Sequence, residues 1–434
     1  MSLNSAKILP NKKQQECIDT INGSIMVLAG PGTGKTFTVI ERIKGMLEKG
    51  VEPSKILCLT FSEAAANEMK SRLISKVGQK GSLVNVYTYH SFCWEIIQNN
   101  EEYFEEYSSA QIINDTAKRN LMRLCIDELD TKHFKTSSGD KFFHAGTILN
   151  RINEIKKNLL TKEEYFYNLE NHPQWGKGLD DINEKIKDCI AQGKKVLKKD
   201  ENYKSELEKR INQARETYEF YELYNKKMRE NNLIDFYDMI ILVLNKFKES
   251  ANFLDKIANN YDYFLVDEYQ DTNKAQNTIV FNLVDANNKK NIFVVGDDDQ
   301  IIYGFQGAQI DNIEQFLKKY PDTKVICLDE NMRSTQSILD LSEQVAKQDP
   351  NRLENNPEFK KYNVNKHLSA KNASLFEKNT KPTLKIYQDI NQEYNAIADE
   401  IENIIKKDCH KLNEIAILTK SNGELDEFCE ILKG

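Results

Sequence analysis

The sequence predicts an α/β fold: a parallel sheet with helices on both faces, interrupted by a long all-helical insertion. Three observations carry this. Short apolar, β-branched runs alternate with helical patterns from residue 8 to about 94. Strand signals then vanish between about 112 and 232 and return after 260. A glycine-rich segment follows the first apolar run and opens a helix, as a phosphate-binding turn does.

In chain order, residues 24–29, 55–60 and 84–88 read as buried strands, with helices predicted over 34–48 and 63–75. The segments 145–160 and 203–229 have helical spacing, and Leu207, Ile211, Ala214 and Tyr218 fall on one face. Their charge runs fit solvated helix faces. Strands are predicted again at 263–266, 291–296 and 324–327. Residues 348–381 are polar and Asn/Lys-rich and read as a linker or mobile loop. Beyond them, strands at 383–387 and 414–419 around a helix at 393–407 begin a second α/β domain.

The chain has 434 residues, enough for two or more domains, and 40% hydrophobic with 29% charged residues is a globular balance. No apolar run approaches the roughly 18 residues that cross a bilayer. The N-terminus lacks the pattern of a signal peptide, so no membrane association and a cytoplasmic location are expected. Eight scattered cysteines without a CxxC pair point to reduced structural thiols rather than zinc or disulfides. A net charge of −7 leaves nucleic-acid binding open, because a local basic groove decides it.

The chemistry begins with Ala29-Gly30-Pro31-Gly32-Thr33-Gly34-Lys35-Thr36. Glycines let backbone N–H groups turn inward around phosphate oxygens, and the helix N-terminus favours negative charge. Lys35 would pair with the β/γ-phosphates and the Thr36 hydroxyl would ligate Mg²⁺, with Ala29, Gly30, Gly32, Thr33 and Gly34 completing the cradle. The run Phe264-Leu265-Val266-Asp267-Glu268 is an apolar strand ending in two acids. Alone, such a pair is more often a solvated turn; downstream of a phosphate loop, Asp267 would hold Mg²⁺ and Glu268 would act as general base. Val295-Gly296-Asp297-Asp298-Asp299-Gln300 ends another strand, where Gln300 would sense the γ-phosphate. Tyr303 and Phe305 follow between glycines; for Tyr303, stacking on bases and core packing are equal readings. Arg333 would offer a planar cation to the γ-phosphate. The site predicted is for a nucleoside triphosphate, ATP, with Mg²⁺.

The ordered series of motifs resembles the UvrD/Rep-like superfamily 1 DNA helicases. Gln14, in Pro10-Asn11-Lys12-Lys13-Gln14-Gln15, resembles the adenine-reading Q motif, and the phosphate loop follows as motif I. Leu59-Thr60-Phe61-Ser62-Glu63-Ala64-Ala65-Ala66-Asn67-Glu68-Met69 resembles motif Ia and Tyr87-Thr88-Tyr89-His90-Ser91-Phe92 motif Ib. Val266-Asp267-Glu268-Tyr269-Gln270-Asp271 matches motif II, 296–308 motif III and 331–334 motif IV. The resemblance implies a RecA-like domain (1–111 and 233–335) split by a helical insert (112–232), then the start of an incomplete second RecA-like domain (336–434). It further implies 3′–5′ movement on single-stranded DNA and on 3′-tailed duplexes, in repair, replication restart or recombination. Thr60, Phe61, His90, Tyr303 and Phe305 would touch the DNA.

Departures accompany the match. Gln306 stands where the family has Arg, and Glu63-Ala64 where it has Asn-Lys, which removes positive charge near the DNA path. Met332 replaces the Tyr that stacks on adenine and Phe37 replaces a basic residue, so Phe37 and Met332 would form an apolar clamp on the base. Segments like the family's Lys-Gly-Leu-Glu and Thr-Arg-Ala motifs do not occur, so the expectation is an N-terminal fragment with weak turnover; an arginine finger contributes on the order of 10³–10⁵ in rate. Two alternatives stand beside a helicase: a P-loop ATPase module that does not unwind DNA, and the motor part of a helicase-nuclease.

Overall fold

A computed structural model of the chain describes residues 9–129, 131–134, 140–173, 175–192, 194–301, 312–350, 352–373, 381–408 and 411–433. Its centre is a six-stranded, all-parallel sheet, ordered Asn85–Thr88, Ile56–Thr60, Tyr263–Val266, Asn291–Gly296, Ser24–Ala29, Lys324–Leu328. Parallel strands need crossovers, and helices such as Lys35–Glu48 and Glu63–Val77 supply them. The predicted strands and helices of this part fall within a few residues of these elements.

The side chains alternate between two cores, which is why the strands read as continuous apolar runs. Met26, Leu28, Phe264, Val266, Ile292 and Val294 enter one core, which also takes in Ile240, Val243 and Ile279 from the covering helices. Ile25, Val27, Leu265, Phe293 and Val295 enter the other with Val39, Ile40 and Ile43 of the helix Lys35–Glu48. Polar N-caps fix where helices start: Ser62 Oγ accepts from the Ala65 amide, and Asp235 Oδ1 from the Asp238 amide. The described cysteines are free, and Cys17, Cys58, Cys93 and Cys125 are buried, as structural thiols should be.

The chain leaves this body and returns through one narrow joint. Gln111–Ile112 pairs with Leu233–Ile234, and the described residues between them form helices joined by turns, ending in the 33-residue helix Lys198–Glu230. Leu207, Ile211, Ala214 and Tyr218 are buried along it, as their spacing predicts. Lys156 of the helix Ala145–Lys157 is fully buried and bonds Asp235 Oδ2 at 2.7 Å and Asp238 Oδ1 at 2.6 Å, across the joint. Burial alone would lower the Lys156 pKa, but the two carboxylates hold it well above its ordinary value.

Two expectations are corrected. In the segment 348–381, read as a linker or mobile loop, the described residues are held: Leu353 and Phe359 are buried in the first core, and Arg352 and Lys366 pair with aspartates of the sheet edge, while 351 and 374–380 lie outside the described residues. The segments 383–387 and 414–419 are not strands in the structure. Their apolar side chains find no ladder to pack on, and Leu384, Ile386 and Leu418 are almost wholly exposed. By compactness the chain divides into units 1–377 and 378–434. The second unit contains the helices Ile390–Asp408 and Asn422–Lys433, joined by Tyr394 on Phe428 at 5.1 Å between ring centroids. Among the described residues no helix is long and apolar enough to cross a membrane.

Replacing Lys156 by Met leaves Asp235 and Asp238 buried without their cation. Lys156→Met should therefore destabilise the first unit by about 3–5 kcal/mol. The check is the urea midpoint monitored by tryptophan fluorescence; an unchanged midpoint would mean the ion triad is not what secures the insert.

Candidate nucleotide site

The three strands Ser24–Ala29, Asn291–Gly296 and Tyr263–Val266 are neighbours, so the loops at their carboxyl ends meet at one edge of the sheet. That edge is where open α/β sheets bind ligands. The glycine loop turns there with Gly32 at φ +74° and Gly34 at φ +83°. A Cβ on Gly32 would lie 2.6 Å from Asn331 Nδ2 and 2.7 Å from Arg333 Cβ, so the loop has no room for a larger residue. Thr33 Oγ1 closes the turn on the Gly30 carbonyl at 2.7 Å.

Five residues form a closed ring of contacts, four through side chains alone and Asp297 through both its carboxylate and its backbone amide. Lys35 Nζ lies 3.0 Å from Glu268 Oε2 and donates to Gln300 Oε1 at 3.1 Å. Gln300 Nε2 donates to Asp297 Oδ2 at 2.6 Å. The Asp297 amide donates to Gln270 Oε1 at 3.1 Å, and Gln270 Nε2 donates to Glu268 Oε2 at 2.8 Å. Glu268 takes the left-handed conformation at φ +49°, a strained state for glutamate that a surrounding network must hold. Gln270 and Asp297 were not assigned roles from sequence; a polar residue two positions past an acid gives no local sign of its partner.

Asp267 is buried behind Glu268. Burial and the adjacent Glu268 charge push its carboxyl up to about 7, against the Glu268 amide, Lys35 and a hydrogen bond from Thr36. A buried acid beside a threonine hydroxyl at a phosphate loop is the oxygen donor set that suits Mg²⁺.

The remaining predicted residues take varied places. Gln14 is buried, and its amide donates to the Thr33 carbonyl at 2.9 Å while its oxygen accepts from the Asn11 amide at 3.0 Å. Its side chain therefore braces the loop. Ala29 ends its strand in full burial. Arg333 is exposed beside Gly32. The Met332 amide bonds to the Gly32 carbonyl at 3.0 Å and its side chain is 46% exposed, whereas the Phe37 ring lies 5.0 Å from the Lys76 ammonium. Thr60 is wholly buried and its Oγ1 has no hydrogen-bond partner; Phe61 is half-buried. His90 packs edge-on against Phe236 and Tyr237, and burial pushes its pKa down to about 4, so the ring is neutral near pH 7. Tyr303, Phe305 and Gln306 lie outside the described residues.

Sequence reading missed Arg352 and Lys366 altogether. Lys366 Nζ lies within 3.0 Å of Asp297, Asp298 and Asp299, and Arg352 grips Asp299 with Nε and Nη2 at 2.8 and 2.7 Å.

A parallel sheet with a glycine loop opening a helix at one strand, and a buried acid two strands away, defines a RecA-like P-loop nucleotide-binding domain. The UvrD/REP helicase N-terminal domain model matches residues 10–321 and the UvrD-like helicase C-terminal domain model matches 326–434. The chain belongs to the UvrD/REP helicase family. It is 32% identical over 345 residues to a protein of Staphylococcus epidermidis named ATP-dependent DNA helicase PcrA, covering 79% of this chain and 40% of that one. The protein of the same name from Staphylococcus aureus is 31% identical over 343 residues, with the same coverage. The chain thus spans about 40% of the length of the curated relatives it matches. The match of the C-terminal model across 326–434 does not support the expected N-terminal fragment.

Two outcomes follow from this geometry. Gly32→Ala combines a left-handed backbone with a clash on Asn331, and should weaken ATP binding by ~10-fold or more; calorimetric titration measures it. A Mg²⁺ ion held by Asp267 would have to displace the proton that burial keeps on that carboxyl up to about 7. The gain in ATP affinity on adding Mg²⁺ should therefore shrink as pH falls below that value, by up to ~10-fold per pH unit. A gain independent of pH would show Asp267 already ionised.

Proposed function

We propose that the protein is an ATP-driven DNA motor that moves 3′ to 5′ on single-stranded DNA and opens 3′-tailed duplexes. The ring from Lys35 through Gln300, Asp297 and Gln270 to Glu268 is the observation that carries this reading. It joins the phosphate loop, the acidic strand end and the sensor glutamine into one unit, so a change at the nucleotide reaches the chain that runs on from Gln300. The relatives' name, ATP-dependent DNA helicase, supports the same substrate class.

In this reading the loop amides and Lys35 bind the triphosphate. Mg²⁺, held by Thr36 and Asp267, would supply neutralising charge to the phosphate oxygens. Lys35 turns from Glu268 toward phosphate, which frees the Glu268 carboxylate to accept a proton from the attacking water. Gln300, released from Lys35, orients that water, and Arg333 lies exposed next to the loop to meet developing charge. Phe61, half-buried at the end of its strand, would offer its ring for stacking on bases, while the neutral His90 contributes shape rather than charge. We assign 1–111 with 233–335 to the motor domain and 112–232 to its insert. The pathway served, whether repair, replication restart or recombination, follows from partners rather than from this site.

DNA-stimulated ATP hydrolysis tests the proposal. Single-stranded oligonucleotide should raise turnover, and Lys35→Ala and Glu268→Gln should each reduce it by ~100-fold or more. Glu268→Gln should keep ATP binding. A turnover indifferent to DNA would favour a P-loop ATPase without motor activity.

A further inference from the structure

The segment from Arg352 to Ala370 begins and ends on the nucleotide site. At its start Arg352 clasps Asp299 and the Leu353 amide donates to Asp298 Oδ2 at 2.9 Å. In its middle Lys366, only 6% exposed, reaches Asp297 Oδ1 at 3.0 Å, Asp298 Oδ1 at 2.6 Å and Asp299 Oδ2 at 2.8 Å. Two residues later, Leu368 Cδ1 would stand 2.8 Å from a Cβ on Gly30. Ser369–Ala370 then pairs with Glu330–Asn331, whose Asn331 side chain donates to the Pro31 carbonyl. Lys366, Leu368, Gly30, Pro31, Asp297 and Gln300 line one cavity of about 150 Å³, so the segment faces both the phosphate loop and the sensor.

Asp297, Asp298 and Asp299 are consecutive acids, and Asp297 is buried. Like charges so close separate unless a cation holds them. Asp297 carries three duties: Oδ1 meets Lys366 and accepts from the Asp299 amide at 3.2 Å, and Oδ2 holds the Gln300 amide that accepts Lys35. The cation therefore stands one carboxylate away from the side chains assigned to the hydrolysis.

We propose that Lys366, supported by Arg352, is a positioning residue for ATP hydrolysis: it fixes the triple-aspartate turn so that Gln300 and Lys35 stay in register with Glu268. The proposal rests on the ATP-site reading above. It makes the 352–370 segment a strap that ties the sensor turn to the phosphate loop from behind.

The test compares Lys366→Met, Lys366→Arg, Gln300→Ala and the Lys366→Met/Gln300→Ala double variant in the full chain. The readouts are ATP affinity, DNA-stimulated turnover and melting midpoint. Lys366→Met should slow turnover ~10-fold or more while ATP affinity stays within ~3-fold, and Lys366→Arg should recover most of the loss. The double variant should be no slower than Gln300→Ala alone, because both act through one contact. If Lys366→Met does not fold, adding Asp298→Asn removes excess charge and leaves Asp297 without its cation, with the same slowing expected. A lower melting midpoint with unchanged turnover per folded molecule, or losses that multiply in the double variant, would overturn the positioning role. Wild-type protein that neither binds nor turns over ATP would instead overturn the ATP-site reading beneath it.

Discussion

The ammonium of Lys35 is shared between the Glu268 carboxylate and the Gln300 amide oxygen, and the surrounding structure exists to bring those three groups together. Lys35 stands more than two hundred residues before Glu268 and Gln300, and the three meet because their strands are neighbours in one parallel sheet. The sheet's two apolar cores supply the rigidity, since each strand residue is committed to one face or the other. Over that base, Gln270 and Asp297 close the ring and keep Glu268 in a backbone state it would not hold alone. A network of this kind tolerates few independent changes, because its members share partners.

Much of this was legible in the sequence. The runs at 24–29, 263–266 and 291–296 declare themselves because burial on both faces demands continuous apolar side chains. The glycine loop is legible for a different reason: its φ values exclude other residues, so composition records the geometry. The family matches then agree with the motif series over residues 10–321.

What stayed hidden depends on contacts that sequence spacing does not encode. Lys366 finds its aspartates nearly seventy positions upstream, and its own neighbourhood, rich in Asn and Lys, looks like a linker. Leu353 and Phe359 enter the core as isolated residues without a period to announce them. Thr60 shows the converse, since the resemblance implied contact with DNA and the fold buries its side chain. The segment 383–387 read as a strand, but a strand-like run does not name the neighbour that would pair with it.

The root of the helical insert carries a mechanical meaning. A backbone ladder at Gln111–Ile112 and Leu233–Ile234 stands beside the buried Lys156 triad, so two unlike bonds secure the same few residues. Such a root resists swivelling. From it extends the helix Lys198–Glu230, whose 33 residues make a rod of about 50 Å at 1.5 Å per residue. A stiff root and a long rod form a lever, in which a tilt too small to disturb any contact at the base sweeps several ångströms at the tip.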